Sequence, residues 1–327
     1  MLVSTVRPNL NAVARVPKRF SGATASTGYA VLRPIPDLLD SRYLFQWVKS
    51  PCFVKDMTRK ATGANYPAVT DNAVRASKIP LPPLTEQRRI AAILDKADAL
   101  RQKRREAIAK LDQLLQSVFL EMFGDPVTNP KGWPKASFPD VVYFQEGPGV
   151  RDWQFRSEGV KLVNVINIVD GQLDLTKSSR YLDQDEVAKK YQHFLLESGD
   201  YVMASSGVTW GKIAEVRPAH LPLCLNTSMI RVRPLGDAIH KSYLRAFIEG
   251  PAFRRQIERL ITGSAQPNFG PSHLKKVRIL DPPVDMQYRF SSVVSALSAQ
   301  KTACDAAAHM ANACFASLQQ RAFAGQL

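Results

Sequence analysis

Apolar residues recur every three or four positions over two long stretches, residues 84–124 and 284–327. In the first, Ile90, Ala97, Arg104, Leu111 and Val118 share one heptad position, and Ile93, Leu100, Ala107 and Leu114 lie three residues further on. Leu94, Ile108, Leu115 and Met122 widen the stripe, while "RQKRRE" (101–106) forms a charged outer face. About five heptads without a proline predict a helix that pairs with another helix. Thr85 is placed to cap its start, with Glu86 in the first turn, where negative charge suits the helix dipole. The second stretch carries Phe290, Val293, Val294, Leu297, Cys304, Ala307, Ala308, Ala311, Cys314, Phe315 and Leu318 in the same frame, with many more small residues. One seam of large residues and one of small ones would let the two helices approach closely. Mutual packing is the expectation; the alternative is that each helix packs on its own domain or on a partner.

Between and before these stretches the pattern changes to short β-rich runs divided by turn residues. Residues 141–144, 160–168, 200–205, 212–216 and 228–234 read as strands, and 169–175 as a hairpin around Asp170-Gly171. Helices are expected at 237–249 and 252–262, separated at Gly250-Pro251, where proline can open a new helix but not continue an old one. A last strand falls in 275–283, and the early part of the chain repeats the ending with helices at 38–49 and 52–61.

The chain is a duplication. Shifted by 200 residues, "VLRPIPD" (31–37) falls on "RVRPLGD" (231–237), and Tyr43, Leu44, Pro51 and Phe53 fall on Tyr243, Leu244, Pro251 and Phe253. The register continues without a gap through Ile79/Ile279, Pro82/Pro282, Gln87/Gln287 and Arg89/Arg289 to Phe123/Phe323. A period this long means two copies of a domain plus helix, not a solenoid. The second copy opens near Asn129, whereas Met1 falls opposite Tyr201, so the first copy is expected to lack about 70 residues of its front. The predicted divisions are 1–83, a partial first domain; 84–124, a first long helix; 125–283, a complete second domain; and 284–327, a second long helix.

The formal net charge is +15 over 327 residues, with 44 Lys and Arg against 29 Asp and Glu. Such an excess suits a polyanion, because basic surfaces gain affinity by releasing counterions from phosphates. A basic surface kept for solubility, or one covering an acidic protein, is the competing explanation. Cys52, Cys224, Cys304 and Cys314 form no C-x-x-C pair, and the five histidines are dispersed, so no zinc-ligand spacing can be assembled. No signal-peptide h-region and no apolar run of ~18 residues is present, so a cytoplasmic location without membrane contact is expected.

The stretch "IPLPPLTEQRRIAAILDKADALRQKRREAIAKLDQLLQSVFLEMFGDP" (79–126) resembles the central conserved region of the specificity subunits of type I restriction–modification systems. "TGSAQPNFGPSHLKKVRILDPP" (262–283) is similar to the end of a target recognition domain in that family, and "LQQRAFAGQL" (318–327) to its C-terminus. Met286, in "DMQYRF", departs from the family's acidic–glutamine pair. The resemblance implies an α+β chain of two repeated recognition domains, mixed β with short helices, linked by long helices that form an antiparallel coiled coil. It implies that each domain reads one half of a bipartite, asymmetric sequence in double-stranded DNA. It also implies that methyltransferase (modification) and restriction subunits dock on the chain. S-adenosylmethionine, ATP and Mg are expected on those partners only, with no cofactor and no catalysis in this chain. A truncated or silent form that reads one half-site, or serves only as a methyltransferase-binding scaffold, is the alternative.

Other chemistry is poorly supported. "DPPV" (281–284) lacks the aromatic ring of an amino-methyltransferase motif and matches "LPPL" (81–84) in the repeat, which makes it a strand-to-helix joint. No P-loop exists. The carboxylates of "YLDQDEVAKK" (181–190) read as a solvated helix start. For DNA contact the loops are favoured. "SSGVTWGK" (205–212) offers Ser205, Ser206, Thr209 and Lys212, and "TGSAQPNFG" offers Gln266 and Asn268, amides able to pair with adenine edges. Arg254, Arg255, Lys275 and Lys276 are candidate phosphate contacts, which position without specifying. Arg7, Asn9, Asn11, Asn65 and Tyr66 occupy corresponding places in the first copy. Ordinary turn chemistry is the alternative for each of these polar residues, and Trp210 reads as core or as a wedge.

Overall fold

The computed structural model describes residues 1–261 and 268–327. It divides into two compact units, Met1–Lys110 with Gln300–Leu327, and Leu111–Ala299. The first unit opens with an antiparallel sheet of β1 (Leu2–Ser4), β2 (Val13–Ala14) and β3 (Tyr29–Val31), with β1 central. Val3 and Ala30 face α1 (Ser41–Val48), α2 (Pro51–Lys60) and α3 (Asp71–Arg75), where Leu44, Trp47, Phe53, Met57 and Val74 complete the core. Local chemistry sets the helix starts. Asp40 accepts the amides of Arg42 and Tyr43, so α1 begins later than the expected residue 38, and Ser50 accepts that of Phe53 just before Pro51. The long helix α4 (Leu84–Phe123) follows, its residues up to Lys110 belonging to this unit.

In the second unit β4 (Lys135–Ser137), α5 (Phe138–Val141) and β5 (Val142–Glu146) lead into β6 (Val160–Val163), β7 (Ile168–Val169), β8 (Gln172–Leu173) and β9 (Tyr181–Leu182). Then come α6 (Gln184–Glu186), β10 (Tyr201–Ala204), β11 (Ile213–Glu215), β12 (Leu223–Leu225) and β13 (Met229–Pro234). The unit closes with α7 (Lys241–Glu249), α8 (Pro251–Leu260), α9 (Pro271–Leu274) and β14 (Arg278–Leu280). The main sheet is antiparallel in the order β11-β10-β13-β5. A second sheet, β12-β6-β9, joins β6 parallel to β12, and β14-β4 and β7-β8 are two-stranded.

Most expected elements appear, with shifted ends. The run 160–168 breaks after Val163, because the Asn167 side chain accepts the Asn164 amide at 2.9 Å and turns the chain. The helix expected from 237 begins at Lys241, where His240 Nδ1 accepts the Ser242 amide. The Asp170-Gly171 hairpin forms, both residues taking positive φ (49° and 73°), as this tight turn requires. Asp183 caps α6 through the Glu186 amide, so the acidic cluster there is a helix start.

The repeat extends into hydrogen bonds. Val3 pairs with Val13 in β1–β2, and adding 200 gives the Met203–Ile213 pair of β10–β11. Likewise Val3–Ala30 maps onto Met203–Ile230. Gln87 accepts the Asp40 amide at 2.9 Å and donates to the carbonyls of Leu38 and Pro82. Gln287 makes the same three bonds, to His240, Ala238 and Pro282. The Tyr43 hydroxyl donates to Pro80 O and that of Tyr243 to Leu280 O, each at 3.0 Å. Burial pushes the Tyr43 pKa up to about 12 and raises that of Tyr243 as well.

The second long helix is α10 (Val284–Phe323), and like α4 it has 40 residues. Within each unit the two helices run antiparallel. In the first, Arg101 donates to Asn312 at 2.7 Å with its guanidinium over Phe315, Arg104 reaches the Ala307 carbonyl, and Arg89 reaches Leu327 O. In the second, Phe119 and Phe123 meet Phe290. The small residues of α10 make room for these arginines, because Ala307 leaves its carbonyl uncovered.

One detail of the seam differs from expectation. Ile90, Leu94 and Phe315 are buried, and Ile93, Leu111, Val118, Val293, Leu297 and Leu318 are half-buried, but Leu100 and Leu114 are 51% and 47% exposed. The second row therefore lies four residues beyond the first (Leu94, Arg101, Ile108, Leu115, Met122), not three. At 100° per residue these choices fall on opposite sides of the first row, and the partner helix covers only one side. Leu100→Glu and Leu114→Glu should each change stability by no more than about 0.5 kcal/mol in a guanidinium titration; a loss above about 2 kcal/mol would return them to the seam.

Candidate nucleic-acid interface

Two loops distant in sequence meet in the second unit. Ser206 and Asn268 form an isolated antiparallel bridge, and the Phe269 amide donates to Ser205 O at 3.0 Å. Trp210 is only 7% exposed; its ring meets Phe269 edge-on at 5.7 Å, and the Arg254 guanidinium covers it at 4.4 Å. Trp210 is thus a core residue that anchors the loop, not a wedge. Gly207 and Gly211 bracket the loop with φ of 80° and 81°, a conformation that costs glycine nothing.

The arrangement brings Ser206, Thr209, Lys212, Arg254 and Asn268 to one neighbourhood. Lys212, Arg254 and Asn268 are exposed, and Ser206 and Thr209 half-exposed. Ser205 is the exception: at 1% exposure it serves through its main chain, its amide donating to Ser228 O, and its hydroxyl does not face solvent. Gln266 lies outside the described residues. Arg255, on α8, and Lys275 and Lys276, just after α9, are exposed but joined to these loops by no hydrogen bond or ring contact among the described residues. Two features escaped sequence reasoning. Val208 stands 93% exposed at the loop tip, and Trp153 is 72% exposed between Arg151 and Arg156. An apolar residue next to a positive-φ glycine was the available signal for the first.

The first unit has the same construction. Val6 bridges Ala68 and the Val69 amide donates to Thr5 O at 2.9 Å, which are the Ser206–Asn268 and Phe269–Ser205 contacts less 200. Where the second unit has Gly207 and Gly211, the first has Arg7 and Asn11, still at positive φ (48° and 47°). Asparagine tolerates this region, but arginine is held there at a cost of order 1 kcal/mol. The Arg7 guanidinium lies 4.6 Å from the Tyr66 ring and donates to Asn65 O. Asn9, Asn65 and Tyr66 are exposed, whereas Asn11 turns inward to Lys49 O. Both units therefore present basic and amide donors on a pair of tied loops. Such a set can grip phosphate oxygens and offer hydrogen bonds to base edges.

Residues 11–110 match the family model described as the type I restriction modification DNA specificity domain. The chain is similar to the specificity subunit of the type I restriction enzyme MjaVIII of Methanocaldococcus jannaschii, at 26% identity over 266 residues, covering 76% of this chain and 61% of that one. The EcoDI specificity subunit of Escherichia coli is 25% identical over 146 residues, 43% of this chain and 31% of the relative. The chain thus spans less than two thirds of the length of these curated relatives. A chain from a structure of type I R-M complex assembly and conformational transition shares the fold, at 22% identity and a TM-score of 0.62, over 100% of this chain and 82% of that one. No helix among the described residues is long and apolar enough to cross a membrane. In the motif around α4, the match within the first unit and curated relatives aligned across both units, the chain is similar to type I restriction–modification specificity subunits.

Proposed function

We propose that the chain reads a bipartite, asymmetric sequence in double-stranded DNA for a type I restriction–modification complex. In this reading, residues 1–83 and 125–283 are the recognition domains, and 84–124 and 284–327 the spacer helices. Methyltransferase and restriction subunits dock on the chain and carry S-adenosylmethionine, ATP and Mg, and the chain itself does no chemistry. The observation that carries the proposal is the same pair of tied loops in both units, Val6–Ala68 and Ser206–Asn268, on a chain of net charge +15. Helices of 40 residues support it, since about 60 Å of helix matches roughly 18 base pairs of duplex.

The test is methylation mapping in cells with and without the chain, together with its co-purification with a methyltransferase subunit. One split adenine-containing motif should vanish with the chain; methyl transfer by the bare chain without a partner would overturn the assignment. On purified complex, Lys212→Ala should weaken binding uniformly across sequences and reduce the log–log salt slope by about 1. Asn268→Ala should instead relax discrimination at one base pair by about 1–3 kcal/mol. Fluorescence anisotropy over a salt series and a set of singly substituted duplexes separates the two effects.

A further inference from the structure

The loop between β10 and β11 is held in shape by its own main chain. The Gly211 amide donates to Ala204 O and the Ala204 amide to Lys212 O, each at 2.8 Å, and the Trp210 amide donates to Gly207 O at 3.2 Å. Within this turn one apolar side chain is buried and one stands in solvent: Trp210 is 7% exposed and Val208 93%. The first unit has the same turn with the places exchanged. Adding 200 pairs Pro8 with Val208 and Leu10 with Trp210; there Pro8 is buried and Leu10 is 67% exposed. The Leu10 amide donates to Arg7 O at 2.9 Å, as that of Trp210 does to Gly207 O. A lone exposed apolar residue elsewhere on a surface would mean little. Here each unit holds one out on a loop bracketed by positive-φ residues, in the middle of its candidate DNA-contacting set.

The neighbours of Val208 are polar. Thr209 follows it, Ser206 precedes the glycine before it, and Lys212, Arg254 and Asn268 are exposed in the same neighbourhood. On DNA such a surface meets phosphates and hydrogen-bonding base edges. The apolar group that a major groove offers in return is the C5 methyl of thymine. Wedges driven between base steps are another apolar contact with DNA, and they use Phe, Leu, Ile, Met or Pro. Valine carries its two methyls directly on Cβ and is too short to part a stack.

We propose that Val208 is a specificity-determining residue that packs on a thymine methyl group in the half-site read by the second unit. This rests on the DNA-reading assignment of the tied loops and adds a contact that discriminates by apolar surface, where Asn268 and Lys212 act through hydrogen bonds and charge. Cytosine lacks the methyl group, so the pair favours thymine at that position by about fourfold, the transfer free energy of one buried carbon.

The probe is a labelled duplex carrying the motif found by methylation mapping, titrated with the purified complex of the whole chain and its methyltransferase subunit. Each thymine is replaced singly by deoxyuridine, which removes the methyl group and keeps every hydrogen bond. One replacement should weaken wild-type binding by about fourfold. Val208→Ala should weaken binding to the unmodified duplex by a similar factor and erase the deoxyuridine penalty at that position alone. At 93% exposure the truncation removes no packing, so an unchanged melting temperature is expected of the variant. Binding no tighter to the motif than to a scrambled duplex would overturn the DNA reading and this inference with it. Tight, selective binding with no deoxyuridine penalty at any position, or with a penalty that Val208→Ala leaves intact, would overturn the inference alone. So would a Val208→Ala chain that binds DNA as wild type does but loses the methyltransferase subunit, since Val208 would then face a protein.

Discussion

Phe123→Ala is expected to destabilise the second unit by about 3–5 kcal/mol, the largest loss from any single side chain considered in the helices. Phe123 is 0% exposed, and its ring centroid lies 4.7 Å from Tyr243, 5.1 Å from Phe119 and 5.3 Å from Phe290. Truncation removes a full aromatic burial and three ring contacts, and leaves a cavity that helix backbones cannot close. The Trp133 indole donates to the Phe123 carbonyl at 2.9 Å, which pins the end of α4 and limits relaxation further. Guanidinium unfolding followed by amide exchange in α7 measures the effect; a loss below about 1 kcal/mol would mean the cluster is loosely packed. The counterpart Phe323 meets Tyr43 and Trp47 but is only half-buried, so Phe323→Ala should cost less.

Gln287→Ala should cost about 3 kcal/mol, although it removes only a polar side chain. Gln287 is 0% exposed and makes three bonds of 2.8, 3.0 and 2.8 Å, tying the loop before α7 and the Pro282 turn to the start of α10. Truncation leaves one amide and two carbonyls in a place that solvent reaches poorly, and such groups cost about 1–3 kcal/mol each when unpaired. Gln287→Glu separates the bonding from the packing. A carboxylate still accepts the His240 amide but cannot donate to the carbonyls, so burial favours its protonated form and raises its folded pKa. The sign follows: the variant is most stable below the ordinary glutamate range and loses stability as pH rises from there through its raised folded pKa. Melting curves from about pH 4 to pH 8 that ran parallel to wild type would sink this account. Gln87 makes the same bonds in the first unit, so Gln87→Ala should act alike there.

What the chain's sequence determined alone was whatever depends on neighbours within a few residues, or on comparison of the chain with itself. The duplication, the break at Gly250-Pro251, the Asp170-Gly171 hairpin and the 40-residue helices are of this kind, because caps, turns and helical period act locally. Tertiary structure decided the rest. Whether Leu100 or Arg101 faces the second helix depends on which side of the stripe the partner covers, and both sides are compatible with one heptad pattern. Ser205 was a plausible contact until the Phe269 amide turned its main chain inward. β12 needed β6, 62 residues away in register, to become a strand at all. The tied loops depend on one bridge between residues 62 positions apart in each unit, Val6–Ala68 and Ser206–Asn268. Long-range pairing carries no local signature, because its hydrogen bonds are satisfied equally well by any strand of matching register.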